Sequence, residues 1–477
     1  MTETKVTFGR EEIFTDVREV TAANVRDVLN KTKNTFEKNQ REIQDLYNYY
    51  RGNQGVLSRQ KTYNKTVCNK LVVNRANEIV SFKSGYLVGE PIVYVNNSED
   101  NAISQSIKQL NDFMSAEDKA AKDRELAEWV YIAGVGYRCT LPDTENEEDE
   151  APFEIFTLDP RYTYIVRNSG LGHKPVMSVQ ITKPVEGDVI YSVYTNKMFF
   201  EIQSDKIIDQ RFHGLGDIPV TEYRFNNAMI GAFELVLTAL DAINEVGSNR
   251  LDSIENFVQA FLVFKGIDMD NEQYRAFLEQ GGICLPEGDT DVKYLVQEMN
   301  QTQTQTEVDD LYQTILTIVG MPSMNTGNTS DSSNNGAVIL RNGWTLAEAR
   351  AKDDENMFKM SEKQFLKIVL RICNKYRENF NLKLSQIEPR FTRRNYENAL
   401  EKAQILTMLL SSDKVHPRLA FETCGLFIDP ETAYLASEKY AKEREQKQAE
   451  ELEKADKVDI LDGTDEEPEA DAEDGVA

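Results

Sequence analysis

At Asn226-Asn227 the apolar residues switch from the period of a strand-rich stretch to that of a long helix, and that switch constrains the fold class more than any other feature. Upstream lie short runs rich in β-branched and aromatic residues: Phe153–Leu158, Tyr162–Arg167, Pro175–Thr182, Val189–Thr195, Met198–Ile202 and Val220–Phe225. Turn chemistry separates them at Asp159-Pro160, Asn168-Ser169-Gly170, Glu186-Gly187-Asp188 and Thr195-Asn196. Short strands this close together predict an antiparallel meander, not alternating βαβ units. Downstream, Leu235, Ala239, Ala242, Val246, Ile254, Phe257 and Phe261 fall at helical spacing. A helix from Gly231 to Ala260 would be about 45 Å long. Strands and helices in separate stretches mean an α+β chain.

The flanks read mainly as helix. Ile43, Leu46, Tyr47 and Tyr50 place a helix over Asn39–Tyr50, and a second is predicted over Asn69–Phe82. Ile92–Val95 reads as a strand, Ala116–Trp129 as a charged amphipathic helix, and Tyr137–Leu141 as a strand leading to an acidic hairpin tip. Seven of the twelve residues from Asp143 to Glu154 are Asp or Glu, the composition of a solvated loop. After Ala260 a small α/β unit follows: Phe261–Phe264, helix Asn271–Gln280, Ile283–Leu285 and Val292–Gln297. Helix Glu307–Val319 then stops at Gly320-Met321-Pro322.

From Ser323 to Gly336 the chain is almost wholly Ser, Thr, Asn and Gly with one charge, Asp331. Such a composition buries no core and predicts a loop. The longest helical stretch runs from Ala337 to about Tyr376, with Gly343 placed to bend it. Its middle, Glu348–Asn356, has no apolar residue larger than alanine. Helices are predicted over Tyr396–Leu410, Pro417–Cys424 and Pro430 to about Ala449. Residues 450–477 carry thirteen acidic and two basic side chains without an aromatic, a composition that predicts disorder.

Function classes fall away for chemical reasons. The chain has 477 residues and a formal charge of −26, which argues against a surface that wraps nucleic acid. It leaves room for a protein past which DNA must slide without sticking. Five cysteines at least 51 residues apart offer no zinc or redox pair and suit reduced thiols in a cytoplasm. Met1–Arg10 shows no apolar h-region, and no apolar run reaches the ~20 residues of a membrane span. There is no phosphate loop, no HExxH and no GxSxG elbow, and the three histidines, His173, His213 and His416, sit beside turn residues.

At this point the ordered series resembles the portal (head–tail connector ring) proteins of long-tailed, siphovirus-type bacteriophages, in the version found in phages of Gram-positive hosts. Asn69–Arg75 through Gly85–Pro91 is similar to the family's N-terminal helix and the strand after it. Leu158–Arg161 with Tyr164–Val166 resembles its β-rich wing. Gly216–Glu222 with Asn226-Asn227 resembles the entry to its first stem helix, and the polar loop before Gly336–Leu340 is also similar. The likeness covers roughly residues 35–445 in order.

The resemblance implies a phage portal fold: a helix-rich body, an antiparallel β meander in the wing, long stem helices, a small α/β clip and a helical crown. It divides the chain into an arm (1–34), wing (35–228), stem helix (229–260), clip (261–306), stem helix (307–320), channel loop (321–336), long helix and wing return (337–394), crown (395–449) and acidic tail (450–477). It implies no catalysis and no cofactor or metal. It implies a ring of about twelve copies at one capsid vertex of the virion, assembled in the host cytoplasm. Double-stranded DNA passes through without sequence readout. The implied partners are the terminase large subunit, head–tail adaptor proteins, and the major capsid and scaffold proteins, with no membrane. Ser323, Asn325, Thr326, Asn328, Ser330, Ser332, Asn334 and Asn335 would line the channel. Glu272, Tyr274, Glu287 and Asp289 would face partners on the clip. Two alternatives stand beside it: another head-assembly protein, such as a scaffold or minor head protein, and a metal-dependent DNA-processing enzyme.

Overall fold

The computed structural model describes residues 9–61, 66–97, 101–143, 150–258, 261–265, 272, 275, 291–295, 301–322, 343–378, 380–393, 399–427 and 429–462. The chain divides into two units, residues 1–393 and 394–477. In the first unit, helix α1 (Val25–Tyr50) buries Val25, Val28, Leu29, Phe36, Ile43 and Leu46, a stripe at three- and four-residue steps. Part of that stripe covers one face of a six-stranded sheet, where Phe36 stacks on Tyr164 at 4.3 Å between ring centroids.

The meander is narrower than the strand pattern predicts. It comprises β5 (Thr163–Asn168), β6 (Pro175–Thr182), β7 (Ile190–Tyr194), β8 (Met198–Gln203) and β9 (Lys206–Phe212). Strand β1 (Ile13–Thr15) joins its edge in parallel with β5. The expected strands 153–158 and 220–225 belong to a separate sheet of order β10 (Val220–Arg224), β3 (Val135–Pro142), β4 (Phe153–Leu158). The reason is β3, whose first six residues are all buried, so it needs a partner on each side. Gly134 makes the entry to β3 possible. It has φ 79°, and a Cβ there would lie 2.1 Å from the Met229 carbonyl oxygen.

Around these sheets pack α2 (Arg75–Val88), α3 (Asn101–Ala116), α4 (Lys119–Ala133) and a later 33-residue helix, Trp344–Tyr376. Ile387–Arg390 pairs with Val93–Asn96, bringing the chain after that helix back against an early strand. The helix expected from Asn69 begins only at Arg75, capped by Asn74, whose side chain accepts from the Asn77 N–H. Residues 69–74 carry no helix, which suits the β-branched pair Val72-Val73.

The second unit has helices Ala399–Leu410, Pro417–Cys424 and Pro430–Asp462. Pro417 sits at the first turn of its helix, where a missing N–H costs nothing, and His416 accepts from the Arg418 N–H. Phe421 stacks on Phe427 at 5.3 Å and meets Tyr434 edge-on at 5.9 Å. The last helix continues to Asp462, into the segment whose composition predicts disorder. Glu, Lys, Ala and Leu dominate residues 450–457, and their helix propensity outweighs the missing apolar face.

Candidate functional site

Helix α5 (Leu237–Val258) and α6 (Gln301–Val319) form an antiparallel pair, with a two-stranded hairpin of β11 (Phe261–Lys265) and β12 (Asp291–Leu295) between them in the chain. Burial falls along the pair. Leu237, Leu240 and Ile243 are in the core, as are Ile315, Leu316 and Val319, whereas Leu251, Ile254 and residues 305–307 are exposed. Arg250 donates to Gln305 at 2.6 Å across the outer part. The pair is therefore rooted in the apolar core at one end, and toward the other its burial continues on the face of α5 that carries Asn244, Ser248 and Asp252.

A side-chain ladder fastens α5 to the extended segment 69–73. The Asn69 N–H donates to Asp252 at 2.6 Å, the Leu71 N–H to Ser248 at 3.0 Å and the Val73 N–H to Asn244 at 2.8 Å. The repeat explains the fit: two extended residues advance ~6.6 Å and four helical residues ~6.0 Å. Every second N–H thus meets every fourth side chain. Asp252, 2% exposed, also pairs with Arg59 at 2.7 Å and Lys61 at 2.6 Å. Burial alone would raise its carboxyl, but Lys61, the Asn69 N–H and Arg59 hold it down to about 2.

Helix α6 ends at Gly320, φ 71°, where a Cβ would lie 2.6 Å from Arg350 Cγ. Arg350 is on α7 (Trp344–Tyr376), six residues after its start. Gly343, φ 75°, caps the start of α7, and the expected helical residues 337–342 before it lie outside the described residues. Trp344 packs with Phe82 and Tyr86 of α2 at 6.2 and 6.0 Å. Tyr86 donates to Glu348 at 2.7 Å, and Arg393 bridges Glu348 and Glu355 at 2.9 and 2.7 Å. Gly320 at the end of α6 and Arg350 on α7 thus lie close together, and residues 323–342, between them in the chain, lie outside the described residues.

All eight expected channel residues, Ser323, Asn325, Thr326, Asn328, Ser330, Ser332, Asn334 and Asn335, lie outside the described residues. So do Tyr274, Glu287 and Asp289. Glu272 is described as helical and exposed. The described residues fix the roots of the loop and the strands of the insertion.

Sequence reasoning missed a buried ionic cluster at the centre of this unit. Lys119 bridges Asp123 at 2.7 Å and Glu362 at 2.8 Å. Arg138 pairs with Asp123 and lies 3.6 Å from Glu362. Tyr94 and Tyr223 donate to Glu362 at 2.5 and 2.7 Å. All four charged side chains are at most 3% exposed, and their formal charges cancel. Burial alone would raise the Glu362 carboxyl, but the two cations and the Tyr94 hydroxyl hold it well below the usual carboxylate range. One signal was visible, the i,i+4 spacing of Lys119 and Asp123. The cluster ties α4, β3 and α7 together and leaves no group open to a substrate. Nearby, Asp354 in the polar middle of α7 accepts from Lys83 at 3.3 Å and Tyr131 at 3.1 Å.

Among the described residues, no three His, Cys, Asp or Glu side chains could hold a metal ion, and no helix is long and apolar enough to cross a membrane. A family model described as phage portal protein, SPP1 Gp6-like, matches residues 29–456. The portal protein of Bacillus phage SPP1 is 22% identical over 426 residues, covering 84% of this chain and 79% of that protein. Among solved structures, a chain in the neck of an empty gene transfer agent particle, computed with C6 symmetry, is 15% identical with a TM-score of 0.48. It covers 74% of this chain and 90% of its own. A chain in the neck of the native particle, computed with C12 symmetry, is 15% identical, covers 74% and 89%, and has a TM-score of 0.43.

Proposed function

The chain belongs to the phage portal protein family, SPP1 Gp6-like, a structural family of the virion, and from that premise we propose that it forms the ring through which DNA enters and leaves the capsid. The ring has about twelve copies and sits at one vertex. Its contacts are heterologous, one patch meeting a different patch on the next copy, and the rotation closes. Residues 229–260 and 307–320 are the stem, 261–306 the clip, 321–336 the channel loop and 395–449 the crown.

One observation supports this reading. An antiparallel helix pair rooted in the core is followed in the chain by the Ser, Thr, Asn and Gly stretch 323–336, which lies between the described ends Pro322 and Gly343. Gly320 and Gly343 supply the backbone turns, and the Phe82–Tyr86–Trp344 group anchors the start of α7. A loop of Ser, Thr, Asn and Gly contacts a phosphate backbone by hydrogen bonds that carry no sequence information. It also lacks the lysines and arginines that would hold a duplex by counterion release. The ring is passive. A separate ATP-driven terminase docks on the clip during packaging, and head–tail adaptors replace it. Capsid and scaffold proteins surround the ring during assembly in the host cytoplasm.

Negative-stain microscopy with native mass spectrometry tests the ring. The expected particle has about twelve copies of the 54.4 kDa chain around a hole that admits a duplex. Deleting 323–336 is expected to leave that particle intact and to impair DNA packaging or retention. Normal packaging by the deletion variant sinks the loop assignment.

A further inference from the structure

The exposed ridge of helix α7 is basic, although the chain as a whole is acidic. Lys363, Lys367, Arg371 and Lys375 follow one another at four-residue steps, and all four are exposed. Side chains at i, i+4, i+8 form a single ridge along a helix, with neighbouring Cβ atoms about 5–6 Å apart. Lys359, one step earlier, is taken up by Glu355 at 2.7 Å. Asp217 meets the ridge at its middle, 2.7 Å from Lys367 and 3.6 Å from Arg371. Lys363 and Lys375 flank that pair and are exposed, with the Lys375 ammonium over the Tyr376 ring at 4.9 Å.

The same chain carries a matching anion series. Residues 465, 467, 469, 471 and 473 are Asp, Glu, Glu, Asp and Glu, a strict period of two, with Glu466, Pro468, Ala470 and Ala472 between them. In an extended segment alternate side chains share one face and repeat about every 6.6 Å. That repeat is close to the spacing of the cations on the ridge. Pro468 disfavours a helical alternative. The helix before this segment is exposed on every side from Ala441 to Ala449, so it does not pack within its own unit there.

We propose that the α7 ridge Lys363–Lys367–Arg371–Lys375 is the docking surface for the acidic segment 465–473 of a second copy, bound extended with one carboxylate per helical turn. The contact is one patch against a different patch, as a closed ring requires, and to that extent it rests on the ring reading. It needs no assignment of the channel loop. Duplex DNA is the competing occupant by charge. The period-two anion series, matched to the spacing of the ridge cations, favours the protein segment.

The test uses full-length chains. One chain carries Lys367→Cys and one affinity tag; the other carries Ala470→Cys and a second tag. They are co-expressed and treated with a bismaleimide, with the unsubstituted pair as background. The expected product joins both tags. Its yield should fall about tenfold or more with Lys363→Glu and Arg371→Glu, since several coupled surface pairs are lost. Adding Glu469→Lys and Asp471→Lys in the other chain should restore it. Salt near 1 M, where the screening length is about 3 Å, should suppress it. No mixed-tag product, a product indifferent to charge reversal, or a crosslink confined to one chain overturns the proposal. So does a result in which charge reversal abolishes duplex retention in a gel shift and leaves the crosslink unchanged. Mass photometry on the same sample separates the two readings. Rings without the mixed product overturn the contact alone; a mixed product without rings keeps the contact and overturns the ring.

Discussion

Two regions of residues 1–393 bury polar groups, and they do so by opposite means. The cluster Lys119–Asp123–Arg138–Glu362 joins four ions from three elements, each balanced in charge by the others, with Tyr94 and Tyr223 donating to Glu362. The ladder on α5 uses acceptors from one helix face, Asn244, Ser248 and Asp252, to satisfy the backbone N–H groups of 73, 71 and 69. Removing one ion from the cluster leaves the other three buried with an uncompensated charge. Removing the Ser248 rung strands the Leu71 N–H alone, and the rungs beside it remain. The first arrangement is intolerant of piecemeal change and the second is graded.

The strongest way to break that contrast is Glu362→Gln. It leaves Lys119 and Arg138 facing one carboxylate in a site closed to water. A loss of about 3–5 kcal/mol is expected, read as a fall in the urea midpoint with an unchanged slope. The double variant Lys119→Met with Glu362→Leu removes a balanced pair and should cost less than the sum of the single losses. Additivity there would mean that the ions act independently and would remove the contrast. Acid titration sharpens it. The Glu362 carboxyl is held below its unfolded value, so its stabilisation is fully present above about pH 4.3 and is lost as pH falls below it. The gap between the native chain and Glu362→Gln should therefore be widest near neutrality and close on acidification. A gap that widens toward low pH contradicts this sign. Asp252, also depressed, adds its own loss between about 3.9 and about 2 in both proteins.

The same contrast explains what the sequence disclosed. Strands 153–158, 175–182 and 198–203 were legible because each carries apolar residues between turn signals. Strand β9, Lys206–Phe212, was not, because it is a sheet edge with almost every side chain exposed and it lacks a clean period. Helix 69–74 was over-read because Leu71, Val72 and Val73 look apolar and continuous; the ladder on α5 holds that stretch extended. Tertiary contacts decide such a segment, not propensity. Residues 9–20 were given no role, yet Arg10 is buried and paired with Glu234 at 2.7 Å and Glu42 at 3.2 Å. The ionic cluster was illegible for a simpler reason. Its members span 119 to 362, and only the Lys119–Asp123 step falls at a spacing that sequence alone connects. The expected channel and clip positions rest on composition and family likeness, with Glu272 alone among the described residues.

A smaller effect tests the ladder. Ser248→Ala removes the acceptor of the Leu71 N–H and should cost about 1–3 kcal/mol, the range for a stranded buried donor. Hydrogen exchange gives the sharper reading. Residues 69–73 should exchange faster in the variant, while Tyr94 and Tyr223 beside the ionic cluster keep their protection. Loss of protection at both places would mean that the two regions form one cooperative unit, and the graded behaviour assigned to the ladder would be wrong.

The smallest effect marks the limit of both arrangements. Helix Pro430–Asp462 is exposed on every side from Ala441 onward to Ala449, and Lys442 pairs with Glu438 at 2.8 Å one turn away. This ion pair stands in water, so neither ion depends on the other to escape an unpaired burial. Lys442→Ala is expected to leave the urea midpoint within error of the native chain, and any small change should vanish at high salt. A clear fall in the midpoint would mean that this stretch is covered in solution. Crosslinking from Ala441 and Ala449 would then identify the surface that covers it.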